Sequence, residues 1–200
     1  MNYNDLLELV RKNRSYRRYL ESVAIPQELI LRWINLARFS PSGRNMQPLK
    51  YLIANNSELN QKIFENLAWA GYLKDWPGPE PGERPSAYIA VLKDKSLSEN
   101  IYCDDGLGIL GILLGAVSDG YGGCTIGSFN KSKLTQLFGL PAHLEILWII
   151  ALGKPTETVV LEELAGEDIR YWRDEDKVHH VPKRKLEDII FRMQRSASPE

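Results

Sequence analysis

The sequence has little cysteine and no clear export signal. Only Cys103 and Cys124 occur among its 200 residues, which is too few for the disulfide framework of a small secreted protein. The N-terminal stretch MNYNDLLELVRKN lacks the continuous apolar run of a signal peptide. We therefore expect a reducing, cytoplasmic location.

Positive and negative charges are nearly balanced. Lysine and arginine number 25 and aspartate and glutamate 26, which leaves a net charge of -1 and a pI near 6.3. Such a balance creates no overall field toward nucleic acid or an anionic membrane, so we expect neither partner. The longest apolar stretch, LGILGILLGAV, is about half of the ~20 residues that a bilayer span requires, which predicts a buried helix.

Several catalytic signatures are missing. The sequence contains no G-x-x-x-x-G-K-[ST] and no G-x-S-x-G, and neither cysteine has a histidine close in sequence. His179 and His180 are adjacent, a spacing that rarely chelates one ion, so we expect surface histidines and no metal site. If the protein is an enzyme, a bound organic cofactor should carry the reactivity.

What is present points to one folded domain over residues 1–200. Hydrophobic residues make up 44% of the chain, enough for one good core. Apolar spacing predicts helices near 4–13, 26–40, 57–67, 104–120 and 130–139, and strands near 49–55, 88–94, 121–129 and 144–155. Long helices alternating with about four strands predict an α+β or α/β sandwich, with the helix at 104–120 as its central element.

The predicted central helix is unusual in composition. Its sequence, DDGLGILGILLGAVSDG, is apolar or small nearly all the way round, which predicts burial on every side. Gly108, Gly111 and Gly115 would allow neighbouring backbones to approach closely. Such a helix suits either a core or the seam of a dimer.

Basic residues cluster between the first two helices, in RKNRSYRRY. One interpretation is a solvated helix end, where cations face the helix dipole favourably. The other is an anion clamp, in which Arg14 and Arg17 with the hydroxyl of Ser15 would bind a phosphate. Lys183 and Arg184 could supply a second cationic pair or could simply be solvated.

Three further segments combine turn residues with features that turns do not require. PSGRNMQP, at 41–48, is rich in turn residues, but Gln47 offers a donor and an acceptor together, which suits the edge of a heteroaromatic ring. YGGCTIGSF could place bare backbone against a ligand, or could be a tight bend. The proline-rich loop 68–86 carries Trp69, Tyr72 and Trp76, which either line a pocket wall or pack the loop down.

Taken together and in order, NRSYRRY, ARFSPSGRNMQPLKYLIA, DDGLGILGILLGAVSDGYGGCTIGSF and LWIIALGKP resemble the nitroreductase family of flavoproteins. The resemblance spans nearly the whole chain. It implies an α+β fold, a three-layer sandwich with a central mixed β-sheet flanked by helices, in an interlocked homodimer. It also implies FMN at the subunit interface, NAD(P)H as the electron donor and the helix at 104–120 at the dimer seam.

The resemblance also implies roles for individual residues. Those implied to bind FMN are Arg14, Ser15, Arg17, Pro41, Ser42, Gly43, Asn45, Gln47, Ile126, Gly127, Lys183 and Arg184, with the 41–47 segment reaching the flavin of the partner subunit. Trp69, Tyr72 and Trp76 are the candidates for the substrate pocket. The sequence departs from many family members at Asn13, where an arginine is common, and the 69–85 loop matches no member closely enough to transfer a substrate.

The activity implied is ping-pong hydride transfer from NAD(P)H through flavin N5 to a small nitroaromatic or quinone-like acceptor. Arg17 would stabilise negative charge near the flavin N1–C2=O region, and no protein acid or base would be needed. The alternatives are a branch of the family with another reaction, such as reductive dehalogenation or oxidation of a dihydro-substrate, an FMN storage protein, and an interaction module without flavin.

Overall fold

The structure, a computed structural model, describes residues 1–191. Their contacts divide the chain into two compact units, the first being Met1–Glu157 and the second beginning at Thr158. The expectation of one domain over 1–200 stays a prediction. Within the described range, no helix is both long and apolar enough to cross a membrane.

The first unit contains all the helices and strands that the sequence predicted, with small changes at their ends. Its helices are α1 (Tyr3–Lys12), α2 (Gln27–Arg38), α3 (Ser57–Phe64), α4 (Asp104–Ser118) and α5 (Lys131–Leu137), and its strands are β1 (Leu49–Ala54), β2 (Ala87–Asp94), β3 (Gly122–Ile126) and β4 (Leu144–Gly153). Side chains that cap the N-terminus fix where several of these helices begin. Asn2 and Asp5 form a reciprocal capping box on α1, and Asn56 and Asn130 cap α3 and α5.

The four strands form one sheet in the order β1-β2-β4-β3, and every neighbouring pair is antiparallel. The predicted mixed central sheet is therefore wrong for these strands. The reason lies in the crossover: β2 and β3, joined through α4, run parallel but are not neighbours. β4 fills the gap between them in the opposite direction, as in a split β-α-β unit.

Helices cover both faces of this sheet, which confirms three layers in the first unit. On one face α2 and α4 pack against alternate residues of β2 and β4, including Ile89, Val91, Ile150 and Leu152. On the other face α3, α5 and Trp69 pack against Tyr88, Ala90, Ile149 and Ala151. The register shifts between Val91 and Leu92, so that Leu147 has no strand partner and Ile146 joins Ile149 on the same face.

Helix α4 is less buried than predicted. A Cβ at Gly115 would lie 2.8 Å from Leu36 Cδ1 and 3.0 Å from Trp33 Cδ1, so glycine is what lets α2 lie this close. In a single chain the predicted burial on every side is incomplete, because Leu110 is 46% exposed and Gly106 also faces outward. The outer side of α4 is thus an uncovered apolar surface in one chain.

The second unit has three short strands that the sequence analysis missed: β5 (Val159–Glu163), β6 (Trp172–Arg173) and β7 (His179–Lys183). β5 and β7 are parallel, and β6 and β7 are antiparallel. The polar, short segments gave no clear strand pattern. A 3₁₀ turn over Glu187–Ile189 follows.

The two histidines of β7 are not ordinary surface histidines. His179 is 1% exposed and its ring centroid lies 5.1 Å from that of Tyr171, so the surface expectation is wrong there because the side chain is packed away from solvent. His180 Nδ1 lies 2.5 Å from Glu162 Oε1, and its Nε2 lies 3.0 Å from Asp174 Oδ2. Hydrogen bonds to Asp174 and Glu162 raise the pKa of His180.

Candidate functional site

The basic segment after α1 lies along the edge of the main sheet. Asn13 ends the helix by donating its N–H to the carbonyl of Leu9, and the chain then becomes extended. Ser15 forms an isolated parallel bridge with Gly123 of β3, and the N–H of Tyr16 donates to the Gly123 carbonyl at 3.1 Å. This pairing carries the next basic residues toward the end of β3.

Arg17 lines a cavity of about 180 Å³ at that position, here named the Arg17 cavity. Its other lining residues are Ala68, Trp69, Ala70, Gly71, Cys124, Thr125, Ile126, Gly127 and Ser128. The structure thus brings together four of the predicted residues, Arg17, Trp69, Ile126 and Gly127. They come from three segments that are far apart in sequence.

A buried carboxylate anchors Arg17. The backbone N–H of Arg17 donates to Glu157 Oε1 at 2.7 Å, and Arg17 Nη1 donates to the carbonyl of Ser15 at 3.2 Å. Glu157 is 7% exposed. Sequence reasoning missed it because a single glutamate in TETVV gave no signal of burial.

Arg14 is not among the residues of the Arg17 cavity. Its Nη2 donates to the carbonyl of Val10 at 2.8 Å, so it covers the C-terminal turn of α1. Its Nε is buried and has no hydrogen-bond partner among residues 1–191. Burial lowers the pKa of Arg14. The two arginines of the predicted clamp therefore have different surroundings.

Packing requires a glycine at position 127, which also lines the Arg17 cavity. A Cβ there would lie 2.6 Å from Cζ3 of Trp148, whose Nε1 donates to Asp105 Oδ2 at 2.7 Å. Nearby Cys124 is buried, and burial raises the pKa of its thiol, which stays neutral. The floor of the cavity is thus uncharged, and Arg17 is its charged group.

The aromatic residues of the 68–86 loop separate into two groups. Trp69 is 8% exposed, and its ring centroid lies 5.9 Å from Phe64 and 6.5 Å from Trp76. Trp69 and Trp76 therefore pack the loop against the core. Tyr72 is 50% exposed, and of the three aromatics only Trp69 lines the Arg17 cavity.

The 41–47 segment forms a strained turn at the other predicted site. Gly43–Asn45 is a 3₁₀ turn, and three non-glycine residues have left-handed backbone angles: Arg44 at φ 53°, Asn45 at φ 56° and Gln47 at φ 50°. Each such conformation costs about 1–2 kcal/mol. Strain of this kind persists only where surrounding contacts impose it.

Asp104 imposes it. This carboxylate, 4% exposed in the first turn of α4, accepts the hydroxyl hydrogen of Ser42 at Oδ2 (2.5 Å) and the N–H of Gly43 at Oδ1 (2.8 Å). The oxygen of Ser42 in turn accepts the N–H of Gln47 at 2.8 Å. Sequence reasoning assigned Ser42 to a ligand and missed Asp104. The acidic pair opening α4 was the available signal.

The turn borders a second cavity of about 260 Å³, the Gln47 cavity. Its lining combines Ile34, Ala37, Arg38, Ser40, Pro41, Ser42, Gln47, Leu49, Tyr51 and Asp104. Burial, with a smaller contribution from the charge of Asp104, raises the pKa of Tyr51 to about 12. The side chains of Asn45 and Gln47 are exposed.

The two cavities share no lining residue. Among the described residues of one chain, Arg17 and Gln47 therefore line different cavities. Lys183 and Arg184 belong to the second unit, where both are exposed and Lys183 is the last residue of β7.

Comparison with known proteins gives consistent results. A model described as "Nitroreductase family" matches residues 10–79. A curated protein of Methanothermobacter thermautotrophicus, named "Putative NADH dehydrogenase/NAD(P)H nitroreductase", is 28% identical over 171 residues, which cover 82% of this chain and 84% of that protein.

Solved structures show the same fold. One from Staphylococcus epidermidis, described as a "putative NAD(P)H:FMN oxidoreductase", has a TM-score of 0.70 at 17% identity and covers 96% of this chain and 98% of its own. Another from Exiguobacterium sibiricum, a "putative nitroreductase in complex with FMN", has a TM-score of 0.62 at 22% identity and covers 78% of this chain and 90% of its own.

Proposed function

Because the chain belongs to the nitroreductase family, we propose that it is an FMN-dependent oxidoreductase that takes electrons from NAD(P)H. The observation that carries the proposal is the Arg17 cavity, where Arg17, whose backbone N–H donates to Glu157, lines the same space as Ile126, Gly127 and Trp69. A cation beside glycine backbone and an aromatic side chain suits a planar heterocycle that gains negative charge when it is reduced.

The chemical types of the residues in the candidate site match the groups of FMN. Arg17 offers charge-assisted donors, Gly127 offers backbone at the cavity, and Asn45 and Gln47 offer amides that match alternating N–H and C=O groups. Exposed Lys183 and Arg184 are further candidates for the phosphate, and Arg14 has one unpartnered buried N–H among the described residues. We assign Arg17, Ile126 and Gly127 as the central contacts.

The size of the cavities supports a site shared between two subunits. Cavities of about 180 and 260 Å³ are each below the ~300–1,000 Å³ of a typical cofactor pocket. A complete site would combine the Arg17 cavity of one subunit with the 41–47 turn of its partner. Pro41, Ser42 and Gly43 would then shape the turn, and Asn45 and Gln47 would contact the ligand.

Uncovered apolar surface in the first unit also supports a homodimer. On α1 Leu6, Leu7 and Val10 are 41%, 37% and 42% exposed, and on α4 Leu110 is 46% exposed. Contiguous apolar residues of this kind on a monomer mark an interaction surface. We infer that the outer side of α4 contributes to the seam.

Bound FMN would supply hydride acceptance from NAD(P)H and hydride donation to a small organic acceptor of nitroaromatic or quinone-like type. The chain contributes charge and shape. The guanidinium of Arg17 stabilises negative charge that develops beside it on a bound ligand. Glu157 holds the Arg17 backbone so that this charge is already in place.

The test is an absorbance spectrum of freshly purified protein, followed by anaerobic addition of NADH and then NADPH. The proposal predicts a yellow protein that bleaches with at least one donor. A yellow protein that neither donor bleaches would favour FMN storage instead. A colourless protein that stays colourless after incubation with FMN would contradict the proposal.

A further inference from the structure

Trp148 lies where the pairing of β3 with β4 ends. The last paired residues of these strands are Ile126 and Ile149, so Gly127 and Trp148 are the next residues beyond them. Backbone hydrogen bonds of the antiparallel pair fix the two strands up to that point. Beyond it, side-chain packing helps to set where the Gly127 backbone lies.

The indole ring of Trp148 packs against Gly127. A Cβ built on Gly127 would lie 2.6 Å from Cζ3, 3.2 Å from Cε3 and 3.5 Å from Cη2 of Trp148. These three atoms belong to the six-membered ring of the indole, so this edge of the side chain occupies the space on the Cβ side of the glycine. Because Gly127 also lines the Arg17 cavity, the indole supports backbone that borders the cavity.

A carboxylate holds the opposite edge of the indole. Nε1 of Trp148, in the five-membered ring, donates to Asp105 Oδ2 at 2.7 Å in a partly buried hydrogen bond. The other carboxylate oxygen accepts the N–H of Gly106 at 2.9 Å. Asp105 lies in the first turn of α4, where the helix dipole favours a negative charge. Since the χ2 torsion of tryptophan has broad minima, the hydrogen bond to Asp105 selects one orientation of the ring.

A second indole–carboxylate pair lies at the other end of α4. Trp33 Nε1 donates to Asp119 Oδ2 at 2.8 Å, and a Cβ at Gly115 would lie 3.0 Å from Trp33 Cδ1. Neither Trp33 nor Asp119 lines the Arg17 cavity or the Gln47 cavity. This pair links α2 to the end of α4 by the same kind of hydrogen bond, so it provides a matched control.

From this arrangement we propose that Asp105 and Trp148 are a positioning pair for FMN. The carboxylate orients the indole, and the indole sets how far the Gly127 backbone extends toward the ligand. Neither side chain lines the cavity, so both act through Gly127. This role rests on the proposed function, because the position of Gly127 matters only where FMN occupies the cavity. Asp104 holds the 41–47 turn from the same helical turn, so the beginning of α4 supports both parts of the proposed site.

Fluorescence titration of the apoprotein with FMN, together with the visible circular dichroism of the bound flavin, tests this role. Asp105→Ala should weaken FMN binding about fivefold or more and alter the dichroism, because the indole N–H loses its partner and the ring is free to turn. Asp105→Asn should stay within about twofold of the unaltered protein, because an amide oxygen accepts the same N–H. Asp119→Ala removes an equivalent hydrogen bond and should leave both the FMN affinity and the dichroism unchanged.

A double-mutant cycle separates the pair from general destabilisation. Trp148→Phe keeps a ring beside Gly127 but removes the N–H, so it should weaken FMN binding, and adding Asp105→Ala to it should cause little further loss.

Four results would overturn the role while leaving the proposed function intact: unchanged FMN affinity in folded Asp105→Ala or Trp148→Phe, full additivity in the cycle, an equal loss in Asp105→Asn, or an equal loss in Asp119→Ala. An equal loss in Asp105→Asn would show that the charge matters and not the hydrogen bond. Failure of the unaltered protein to bind FMN would instead contradict the proposed function, and this role with it.

Discussion

The Arg17 cavity and the Gln47 cavity are built by different means. Arg17 reaches its position because an extended segment pairs with β3 and a buried glutamate accepts its backbone N–H. The 41–47 turn instead adopts three left-handed non-glycine conformations, which the buried carboxylate of Asp104 holds from below. Backbone pairing with β3 thus positions the charge of Arg17. Strained backbone angles in the 41–47 turn position the amide side chains of Asn45 and Gln47.

This difference indicates where each site is vulnerable. The Arg17 cavity depends on one side chain and on close packing at Gly127, so that substitutions there should alter binding locally. The turn depends on one central acceptor, and without Asp104 its strained backbone has little to keep it in place. The following predictions test that contrast, beginning with the largest expected effect.

Asp104→Asn should have the largest effect. An asparagine cannot accept from both Ser42 and Gly43 with its two side-chain atoms, so the turn relaxes and the free energy of unfolding falls by roughly 2 kcal/mol. Urea denaturation measures this, with the exposed Glu28→Gln on α2 as the control. An unchanged unfolding midpoint would show that Asp104 does not hold the turn.

Gly127→Ala should be next. Its Cβ would lie within 2.6 Å of Trp148 Cζ3, and forced overpacking of this size costs about 1–3 kcal/mol. Gly71→Ala is the matched control, because a Cβ at that position of the same cavity meets nothing within 4 Å. Thermal unfolding of both variants should separate them, and equal melting temperatures would contradict the packing argument.

Arg17→Met should weaken FMN retention about tenfold or more, since it removes charge-assisted donors. Arg14→Met should have a smaller effect, because Arg14 covers the end of α1 and does not line the cavity. Fluorescence titration of the apoprotein with FMN gives both affinities. A larger loss of FMN affinity with Arg14→Met than with Arg17→Met would contradict the assignment of Arg17 as the central contact.

The smallest effect should come from His180, in the second unit. Its pKa is raised by Asp174 and Glu162, so its stabilising contribution is complete below the unfolded value of about 6.5 and is lost as pH rises through the folded pKa. Protonated His180 in turn lowers the pKa of Asp174, a contribution lost on acidification. Trp172 stacks on the ring at 4.0 Å.

The measurement is the NMR titration of His180 together with unfolding at several pH values. Stability of the second unit should decrease as pH rises from about 6.5 through the raised pKa of His180, and His180→Gln should remove that dependence. A titration midpoint below the ordinary value for histidine would reverse the sign and contradict the pairing.

Much of the fold could be predicted because helical spacing and strand runs were strong in the first unit, as in LEILWIIALG of β4. The antiparallel pairing of all neighbouring strands could not be predicted, since no local pattern shows that β4 lies between β2 and β3. In the candidate site, Arg17 could be predicted because it belongs to a cluster of basic residues, and Gly127 because it belongs to a glycine-rich segment. The buried positions of Asp104 and Glu157 were not visible, because burial of a carboxylate depends on tertiary contacts; the acidic pair that opens α4 marks Asp104 only as a residue of the first helical turn.

The central claim is that one FMN site combines the Arg17 cavity of one subunit with the 41–47 turn of its partner. Two variants, Arg17→Met and the double variant Asn45→Ala with Gln47→Ala, should each retain little FMN as homodimers. A doubly tagged heterodimer of the two should regain half of the FMN bound by the unaltered dimer, because one of its sites is then intact. A heterodimer with no FMN would contradict the claim, because each site would then come from one chain.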